Sequence, residues 1–475
     1  MSNKERKPKP VMTWEKLLSG RRYREAPSTV ENSEVNVFQE DASRILNSTP
    51  FRRLQGKTQV HPFPPFDYLR TRLTHSIEVA HVGRVIATGA MRQLPRLPKK
   101  FKASMAGDIV SAACLAHDLG NPPFGHIGEY AIQTWFARLN EVKHPSEEIA
   151  DLVAELLADP RTDDFRNFDG NAQGFRILTR LTGWRDRGGL QLSNATMGAF
   201  AKYPRSSRKA GKKRKFGYFS DDKSAATSIY GALEMLQIPE YDADRQPIEP
   251  RDPAYRRHPF AYIVEAADDI SYLTSDIEDA GRMKLLSFDD CEQLLRSIAD
   301  TKGHLPRYTE IPRANAQDRL KYLRAAAVST LIDRAVECFC DREEDLLSGG
   351  FGENLFNATG FASDVAAIRR ACEESIYNEG GKLQLEAAGF DIIMKVMDLY
   401  GGMMLQYVAD PEKLDLRERG LFALLPPDSK EMLIGADVYK AMLVLVDYVS
   451  GMTDRFILDL YQKLTGTNPT IGRMM

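Results

Sequence analysis

Residues 115–129 read LAHDLGNPPFGHIGE and carry two of the 8 histidines in the chain. An apolar run leads up to His117 and Asp118, a glycine and two prolines interrupt it, and His126 and Glu129 follow three residues apart. A carboxylate at the C-terminal end of a buried helix is unfavourable, because that end is partially negative and burying an unpaired charge is costly. A divalent cation would resolve both problems. We therefore interpret this stretch as part of a metal-binding site.

Adjacent residues cannot enclose a metal ion, so the other ligands must come from elsewhere in the chain. His75 lies early in one helical segment, and Asp268 lies within an Ala-Ala-Asp-Asp run in the middle of another. Imidazole and carboxylate ligands together suit Mn, Fe, Co, Mg or Zn. The alternative for an isolated His-Asp pair is a capped helix end with scattered surface carboxylates. The ordered set of His, His-Asp and Asp on three apolar helices favours a metal site.

Hydrophobic periodicity predicts helix along nearly the whole chain, and strand-like alternation is scarce. The principal predicted helices cover residues 74–94, 106–120, 260–283, 286–300, 314–346, 361–377, 381–410, 428–449 and 452–465. We predict an all-α fold in which a helical core carries helical embellishments. A polar N-terminal arm (1–35) precedes a single unit (36–465) with a metal-site core at about 50–285 and a helical C-terminal part at about 286–465.

Charge is balanced along the chain as a whole. The 64 Lys and Arg residues against 66 Asp and Glu residues exclude a broad polybasic surface, although not a local patch. Such a patch is the basic loop 205–215, within PRSSRKAGKKRKF (204–216). Two interpretations stay open, a solvated insertion or an electrostatic steering element for triphosphate or single-stranded DNA. The loop lacks interleaved aromatic residues, which weakens the case for base stacking.

Further sequence features indicate the cellular compartment of the chain and exclude one class of nucleotide-binding site. No apolar run reaches about 18 residues, so no membrane span is expected. The charged N-terminus is not a secretory signal, and five cysteines, an odd number, indicate a reduced cytoplasmic chain. The glycine-rich stretch 348–360 lacks the Lys-Ser/Thr ending of a phosphate-binding loop, which excludes a kinase-type site.

The ordered His and Asp set resembles that of the HD-domain metal phosphohydrolases. The order of several further motifs is similar to that in bacterial deoxyguanosine triphosphate triphosphohydrolases. These motifs are RRLQGKTQV (52–60), TRLTHSIEVA (71–80), AHDLGNPPFGHIGE (116–129), DGNAQGFRILTR (169–180), LSNATMGAFAKYP (192–204), EAADDISYLTSDIEDA (265–280) and DYVSGMTDRFIL (447–458). The resemblance spans about residues 40–460. Asn121 stands where many relatives in the broader deoxynucleotide group carry His, and it resembles the dGTP-preferring branch.

This resemblance implies hydrolysis of dGTP to deoxyguanosine and triphosphate by attack of water at the α-phosphorus. It implies that a divalent metal, Mg, Mn, Co or Fe, binds four residues, and that two others form a catalytic pair. The implied ligands are His75, His117, Asp118 and Asp268, and the pair is His126 and Glu129. On a helix beginning near Pro123, Glu129 would orient His126, which would move a proton.

The resemblance also implies a set of substrate contacts. Tyr272 would line the deoxyribose, Gln59 and Asp276 would bind the 3′-OH, and Val60 would lie beside the sugar. The remaining residues would bind the triphosphate or face the pocket. For the triphosphate they are Arg72, Lys202, Tyr203 and Lys215, and for the pocket Asn171 and Asn194.

Two other function classes share some of these features. An HD phosphodiesterase or 5′-nucleotidase would use the same metal site without needing triphosphate-binding residues such as Lys202 and Tyr203. A nucleic-acid-binding regulator with a degenerate HD site is the third class, and the intact ligand set together with His126 and Glu129 argues against it. The expected partners are dGTP or other dNTPs, further copies of the chain in a homo-oligomer, hexameric by resemblance, and single-stranded DNA as a candidate regulator.

Overall fold

The computed structural model describes most of the chain, and the predicted all-α fold is confirmed. The described residues are 11–24, 36–59, 69–94, 98, 101–141, 144–183, 189–242, 247–299, 305–312, 315–357, 360–378 and 380–467. Within these ranges the only strands are two of two residues each, which pair antiparallel. They are β1 (Glu240–Tyr241) and β2 (Pro247–Ile248).

Within the described ranges there are 22 α-helices, and the first twelve end at Arg282. They are α1 (Trp14–Leu17), α2 (Val37–Leu46), α3 (Thr49–Arg53), α4 (Arg72–Gln93), α5 (Ala103–Ala116), α6 (His126–Ala137), α7 (Glu147–Ala158), α8 (Asp163–Arg166), α9 (Gly170–Arg176), α10 (Asn194–Phe200), α11 (Lys223–Ala232) and α12 (Pro259–Arg282). Ten follow. They are α13 (Phe288–Ala299), α14 (Leu305–Glu310), α15 (Ala316–Asp341), α16 (Glu343–Leu347), α17 (Ala362–Cys372), α18 (Gly380–Ala409), α19 (Leu416–Leu424), α20 (Pro427–Leu433), α21 (Val438–Ser450) and α22 (Asp454–Thr465).

Several predicted helices are shorter or divided in the structure. The predicted helix 428–449 is two helices, α20 and α21, with Gly435 between them in the left-handed region at φ 67°. The predicted helix 314–346 likewise ends at Asp341, and α16 follows it. Apolar periodicity continued through both breaks, which is why the sequence pattern did not separate the helices. No helix in the described ranges is both long enough and apolar enough to cross a membrane.

Two hydrophobic cores organise the helices. In the first core, α4 packs against α5 and α12, and α13, α15 and α17 join this cluster. The second core combines α6–α8 with α18, α20 and α21. The predicted division at about residue 285 therefore does not separate the cores, because α13–α17 pack with the metal-site helices and α6 packs with the C-terminal helices.

The prediction of a polar arm is wrong for residues 11–24. Met12, Trp14 and Leu17 are buried in the first core. The indole Nε1 of Trp14 donates a hydrogen bond to Glu343 Oε1 at 2.8 Å, and the ring lies 5.3 Å from that of Phe260. The charged residues around this short apolar segment concealed it in the sequence.

This packing predicts a stability defect for Trp14→Ala. Removing a buried aromatic side chain and leaving Glu343 without its donor is expected to lower the free energy of unfolding by about 3–5 kcal/mol. Denaturant titration followed by circular dichroism measures the change. Glu15→Ala, on the exposed side of the same helix, is the matched control and is expected to unfold like the parent. Equal stability of Trp14→Ala and the parent would mean that this segment contributes nothing to the core.

Candidate active site

Three helices of the first core bring His75, His117 and Asp268 together. His75 lies in the first turn of α4, His117 follows the last residue of α5, and Asp268 lies in the middle of α12. The Nε2 atom of His75 is 2.9 Å from Asp268 Oδ1, and His117 Nε2 is 3.5 Å from the same oxygen. One candidate ligand atom from each of these residues lies within 4.8 Å of the other two.

The chemistry of this donor set fits a divalent cation. The Nδ1 atom of His117 lies 2.7 Å from the carbonyl oxygen of Cys114, so Nδ1–H is the donor, and the neutral imidazole that a metal requires would have its lone pair on Nε2. That Nε2 is buried, and its contacts with Asp268 Oδ1 at 3.5 Å and Asp118 Oδ1 at 3.6 Å are too long for well-formed hydrogen bonds. Burial by itself would lower the pKa of His117, but the carboxylates of Asp118 and Asp268 raise it to about 9. A cation would neutralise this excess of negative charge.

Asp118 borders the group and is held from both sides. Its Oδ2 accepts from Arg72 Nη1 at 2.8 Å, and its Oδ1 accepts from the side-chain amide of Asn121 and lies 3.6 Å from His117 Nε2. Asn121 therefore orients the carboxylate of Asp118. The Oδ1 atom of Asp118 thus has a hydrogen-bond donor at position 121, which is the side-chain amide of Asn121.

A strained turn leads from Asn121 to His126. Phe124 adopts a left-handed conformation at φ 60°, which costs about 1–2 kcal/mol for a residue with a β-carbon. Gly125 follows at φ 61°, and a β-carbon there would lie 2.7 Å from the Arg72 guanidinium. Helix α6 begins at His126, three residues later than the predicted start near Pro123, and His126 is exposed at its first position.

Glu129 does not orient His126 in the way that we predicted. Its Oε1 accepts from the backbone N–H of Gly170 at 2.8 Å, and its Oε2 accepts from Lys215 Nζ at 3.2 Å. Among the described residues, no hydrogen bond joins Glu129 to His126. The spacing of three places both residues on one side of α6, but the buried carboxylate turns toward an amide and an ammonium group from other segments.

The site lies in a cavity of about 540 Å³. Most of the predicted residues line this cavity: Gln59, Arg72, His117, Asp118, His126, Glu129, Asn171, Lys202, Lys215, Asp268 and Tyr272. His75 lies behind this wall, with its ring edge-on to Tyr272 at 6.0 Å between centroids. The cavity therefore combines the candidate metal ligands, an exposed imidazole and several cations.

Four predicted substrate contacts are not among the described residues that line this cavity. Asp276 lines a small adjoining pocket of about 20 Å³, which it shares with Gln59. Tyr203 is absent from the cavity wall, and its ring lies near Lys202 and Arg205. Val60 is outside the described residues.

Asn194 is the fourth of these contacts. It begins α10, its backbone N–H donates to the carbonyl of Arg21 at 2.7 Å, and it does not line the cavity. The contact of Asn194 with a substrate therefore stays a prediction.

The cations of the cavity are paired with carboxylates. Lys202 Nζ lies 3.3 Å from Glu265 Oε1, and Lys215 Nζ lies 3.6 Å from Asp169 Oδ2 in addition to its contact with Glu129. Burial lowers the pKa of Lys215, but these two carboxylates raise it above its ordinary value. An anionic ligand would compete with these carboxylates for the ammonium groups.

The basic loop 205–215 is anchored rather than fully solvated. Arg208 pairs with Asp252 at 2.9 Å, and Lys209 pairs with Glu240 at 2.8 Å. Ser207 is buried and donates to Asp164 at 2.5 Å. The exposed residues of the loop are Arg208 and the tip, residues 211–214, which lies next to Lys215 at the cavity wall.

Sequence reasoning missed a pair of residues from α18. Lys382 and Glu386 line the cavity, with Lys382 Nζ 2.6 Å from Glu386 Oε1 and the lysine buried. A Lys and a Glu four residues apart on a helix are ordinary on protein surfaces. The sequence therefore contains no signal that distinguishes this pair from a solvated one.

Comparison with known proteins agrees with this geometry. Residues 72–170 match the HD domain, and residues 358–463 match the phosphohydrolase-associated domain. A deoxyguanosinetriphosphate triphosphohydrolase-like protein of Synechocystis is 35% identical, with 96% of this chain and 99% of the relative aligned. A protein of that name from Listeria innocua is 32% identical over 96% of this chain and all of the relative.

A further relative has the unqualified name. The deoxyguanosinetriphosphate triphosphohydrolase of Salmonella enteritidis is 30% identical, with 94% of this chain and 96% of the relative aligned. The similarity extends over nearly the full length of both chains, and it therefore includes both the HD segment and the associated segment of this chain. The chain therefore belongs to the family of HD-domain phosphohydrolases that includes the deoxyguanosinetriphosphate triphosphohydrolase-like proteins.

Proposed function

We propose that this chain hydrolyses dGTP to deoxyguanosine and triphosphate in a metal-dependent reaction. The observation that carries the proposal is the convergence of His75, His117 and Asp268 at a cavity that His117 and Asp268 line, together with His126 and several cations. The water oxygen forms a bond to the α-phosphorus, the bond from phosphorus to the 5′ oxygen breaks, and the 5′ oxygen gains a proton.

The residues around the reacting phosphate have separate roles. His75, His117, Asp118 and Asp268 would hold the metal, which when bound supplies a Lewis acid and lowers the pKa of water. His126, exposed at the cavity, moves a proton between water and the leaving oxygen. Lys202 and Lys215 bind phosphate oxygens, and Glu129 supports this by holding Lys215 at the wall.

The Lys382–Glu386 pair supports a preference for guanine. The Watson–Crick edge of guanine presents the O6 acceptor and the N1–H and N2–H₂ donors. An ammonium group beside a carboxylate offers the complementary donor and two acceptors. Adenine would place its N6–H₂ donor against the ammonium of Lys382, and sites built from hydrogen bonds reject mismatched groups strongly.

The sugar is recognised at the junction of the two pockets. Gln59 lines both pockets, and no donor among the described residues reaches its buried Oε1. This oxygen accepts from the 3′-OH, next to Asp276. Tyr272 lines the same cavity with its ring edge-on to that of His75, and it crowds C2′ of the sugar. A homo-oligomer, a cytoplasmic location and regulation by single-stranded DNA stay predictions.

Product analysis tests the reaction itself. Each dNTP and rNTP is incubated with the protein and Mn or Mg, and the products are separated by chromatography. We expect triphosphate and deoxyguanosine from dGTP. His117→Ala should lose both this activity and stoichiometric metal, measured by elemental analysis, whereas His81→Ala on the exposed side of α4 should keep both. Orthophosphate as the product would instead favour the nucleotidase class, and a His117→Ala protein with normal metal and turnover would contradict the metal site.

His126→Ala should separate chemistry from binding. We expect the single-turnover rate to fall by about 10²–10⁴, the usual contribution of an acid–base group. Metal content and calorimetric dGTP affinity should remain close to those of the parent, because His126 is not among the grouped ligand atoms. Tyr130→Phe, one turn along α6, is the control. Loss of metal in His126→Ala, or turnover at the parental rate, would show that His126 has a structural role instead.

Glu386→Gln should weaken the preference for guanine. The amide keeps one acceptor but turns a donor toward the N–H groups of the base, so the ratio of kcat/KM for dGTP to that for dATP should fall about 10- to 100-fold. Steady-state kinetics with both nucleotides measures this ratio. Asp391→Asn, an exposed position on the same helix, should leave the ratio unchanged. An unchanged ratio in Glu386→Gln would exclude this pair from base recognition.

A further inference from the structure

One buried carboxylate of the phosphohydrolase-associated region, that of Asp454, binds two segments of the active-site cavity wall. This residue begins α22 and is 2% exposed. Its Oδ2 accepts from the backbone N–H of Thr58 at 2.9 Å, and its Oδ1 accepts from the backbone N–H of Phe124 at 3.0 Å. One side chain therefore joins two segments that are far apart in the sequence.

Each of these amides lies next to a residue with a proposed role. Thr58 immediately precedes Gln59, the proposed acceptor for the sugar hydroxyl. Phe124 precedes Gly125 and His126, where α6 begins. Thr58 and Phe124 both line the cavity. A shift of either amide would change the distance between the sugar-binding group and the imidazole.

Phe124 has a particular need for such a contact. Its φ of 60° is uncommon for a residue with a β-carbon, so surrounding contacts must hold this conformation. The associated region supplies two of them. Asp454 binds the amide, and the ring packs against Gly389 of α18, where a β-carbon would lie 2.8 Å from the ring.

Neighbouring groups reinforce the same junction. Lys57 Nζ donates to the carbonyl oxygen of Ser450 at 2.7 Å and also to that of Asn121. Arg53 Nη1 donates to the carbonyl of Gly451 at 3.1 Å. Residues 450–454 thus contact both segments, but Asp454 is the side chain whose two oxygens each bind one of them.

We propose that Asp454 is a positioning residue, which holds Gln59 and His126 at the separation that the reaction requires. This inference rests on the proposed function, because it assumes the roles of those two residues. It implies that the HD segment alone lacks a part of the catalytic geometry. The carboxylate acts by accepting two hydrogen bonds, and its substitution by an amide leaves one acceptor and sets N–H against N–H.

Hydrogen exchange tests the contact without reference to activity. In Asp454→Asn, amides of peptides covering residues 57–59 and 122–126 should exchange about tenfold faster or more, because local opening no longer breaks these bonds. Peptides from α4 and α5 should be unchanged. Asp459→Asn, an exposed carboxylate on the same helix that pairs with Lys463, is the matched control and should exchange like the parent. Unchanged exchange in Asp454→Asn would overturn the proposal.

Kinetics tests the consequence for the reaction. Misplacement of reacting groups by about 1 Å can cost about 10²-fold in rate, so kcat for dGTP should fall about 10- to 100-fold in Asp454→Asn. The fall in kcat should exceed the change in KM, and metal content should be unchanged. Parental kcat in a variant with faster exchange would overturn the positioning role. A parent that hydrolyses no nucleotide would instead refute the proposed function, and the exchange result would stand on its own.

A second variant covers the case in which Asp454→Asn does not fold. Gly389→Ala adds a β-carbon against the ring of Phe124 and leaves every charge in place. It should raise exchange at residues 122–126 and lower kcat while metal content stays at the parental value. Parental exchange and parental kcat in Gly389→Ala would show that the associated region does not set the position of Phe124.

Discussion

The carboxylate of Asp268 is shared by two imidazoles at the junction of α4, α5 and α12, and the active site depends on this arrangement. Burial alone would raise the pKa of Asp268, but His117 and His75 hold it well below its ordinary value. A charge in this position must be compensated, because an unpaired buried carboxylate is strongly unfavourable. The three helices are therefore tied at one point by electrostatics as well as by apolar packing, and the cavity opens beside that point.

The grouping of the candidate metal ligands could be predicted because their identity and helix positions are unusual. A histidine and an aspartate at the end of an apolar helix have few structural explanations, and the structure brings His75, His117 and Asp268 together as expected. The partners of Glu129 could not be predicted in this way. They depend on an amide of α9 and a lysine of the basic loop, and nothing in local spacing specifies which distant group a buried carboxylate meets.

The same distinction applies to the fold. The presence of helices could be predicted from apolar periodicity, whereas the break between α20 and α21 depends on the backbone conformation at Gly435. The burial of Trp14 and the position of Lys382 at the cavity wall both result from contacts between distant parts of the chain. In each case a short or ordinary motif becomes important only because another part of the chain packs against it. The sequence pattern predicts which helix surfaces are apolar, but it does not determine which of these surfaces pack against each other.

The cavity lies between the two hydrophobic cores, with α12 on one side and α6 and α18 on the other. A ligand that touches both walls binds well only while the cores keep their relative arrangement. By thermodynamic linkage, its binding free energy is added to the stability of that arrangement, and the gain grows with the logarithm of ligand concentration above the dissociation constant. A ligand that occupies the cavity would thus strengthen the association of the two cores, and more so as its concentration rises.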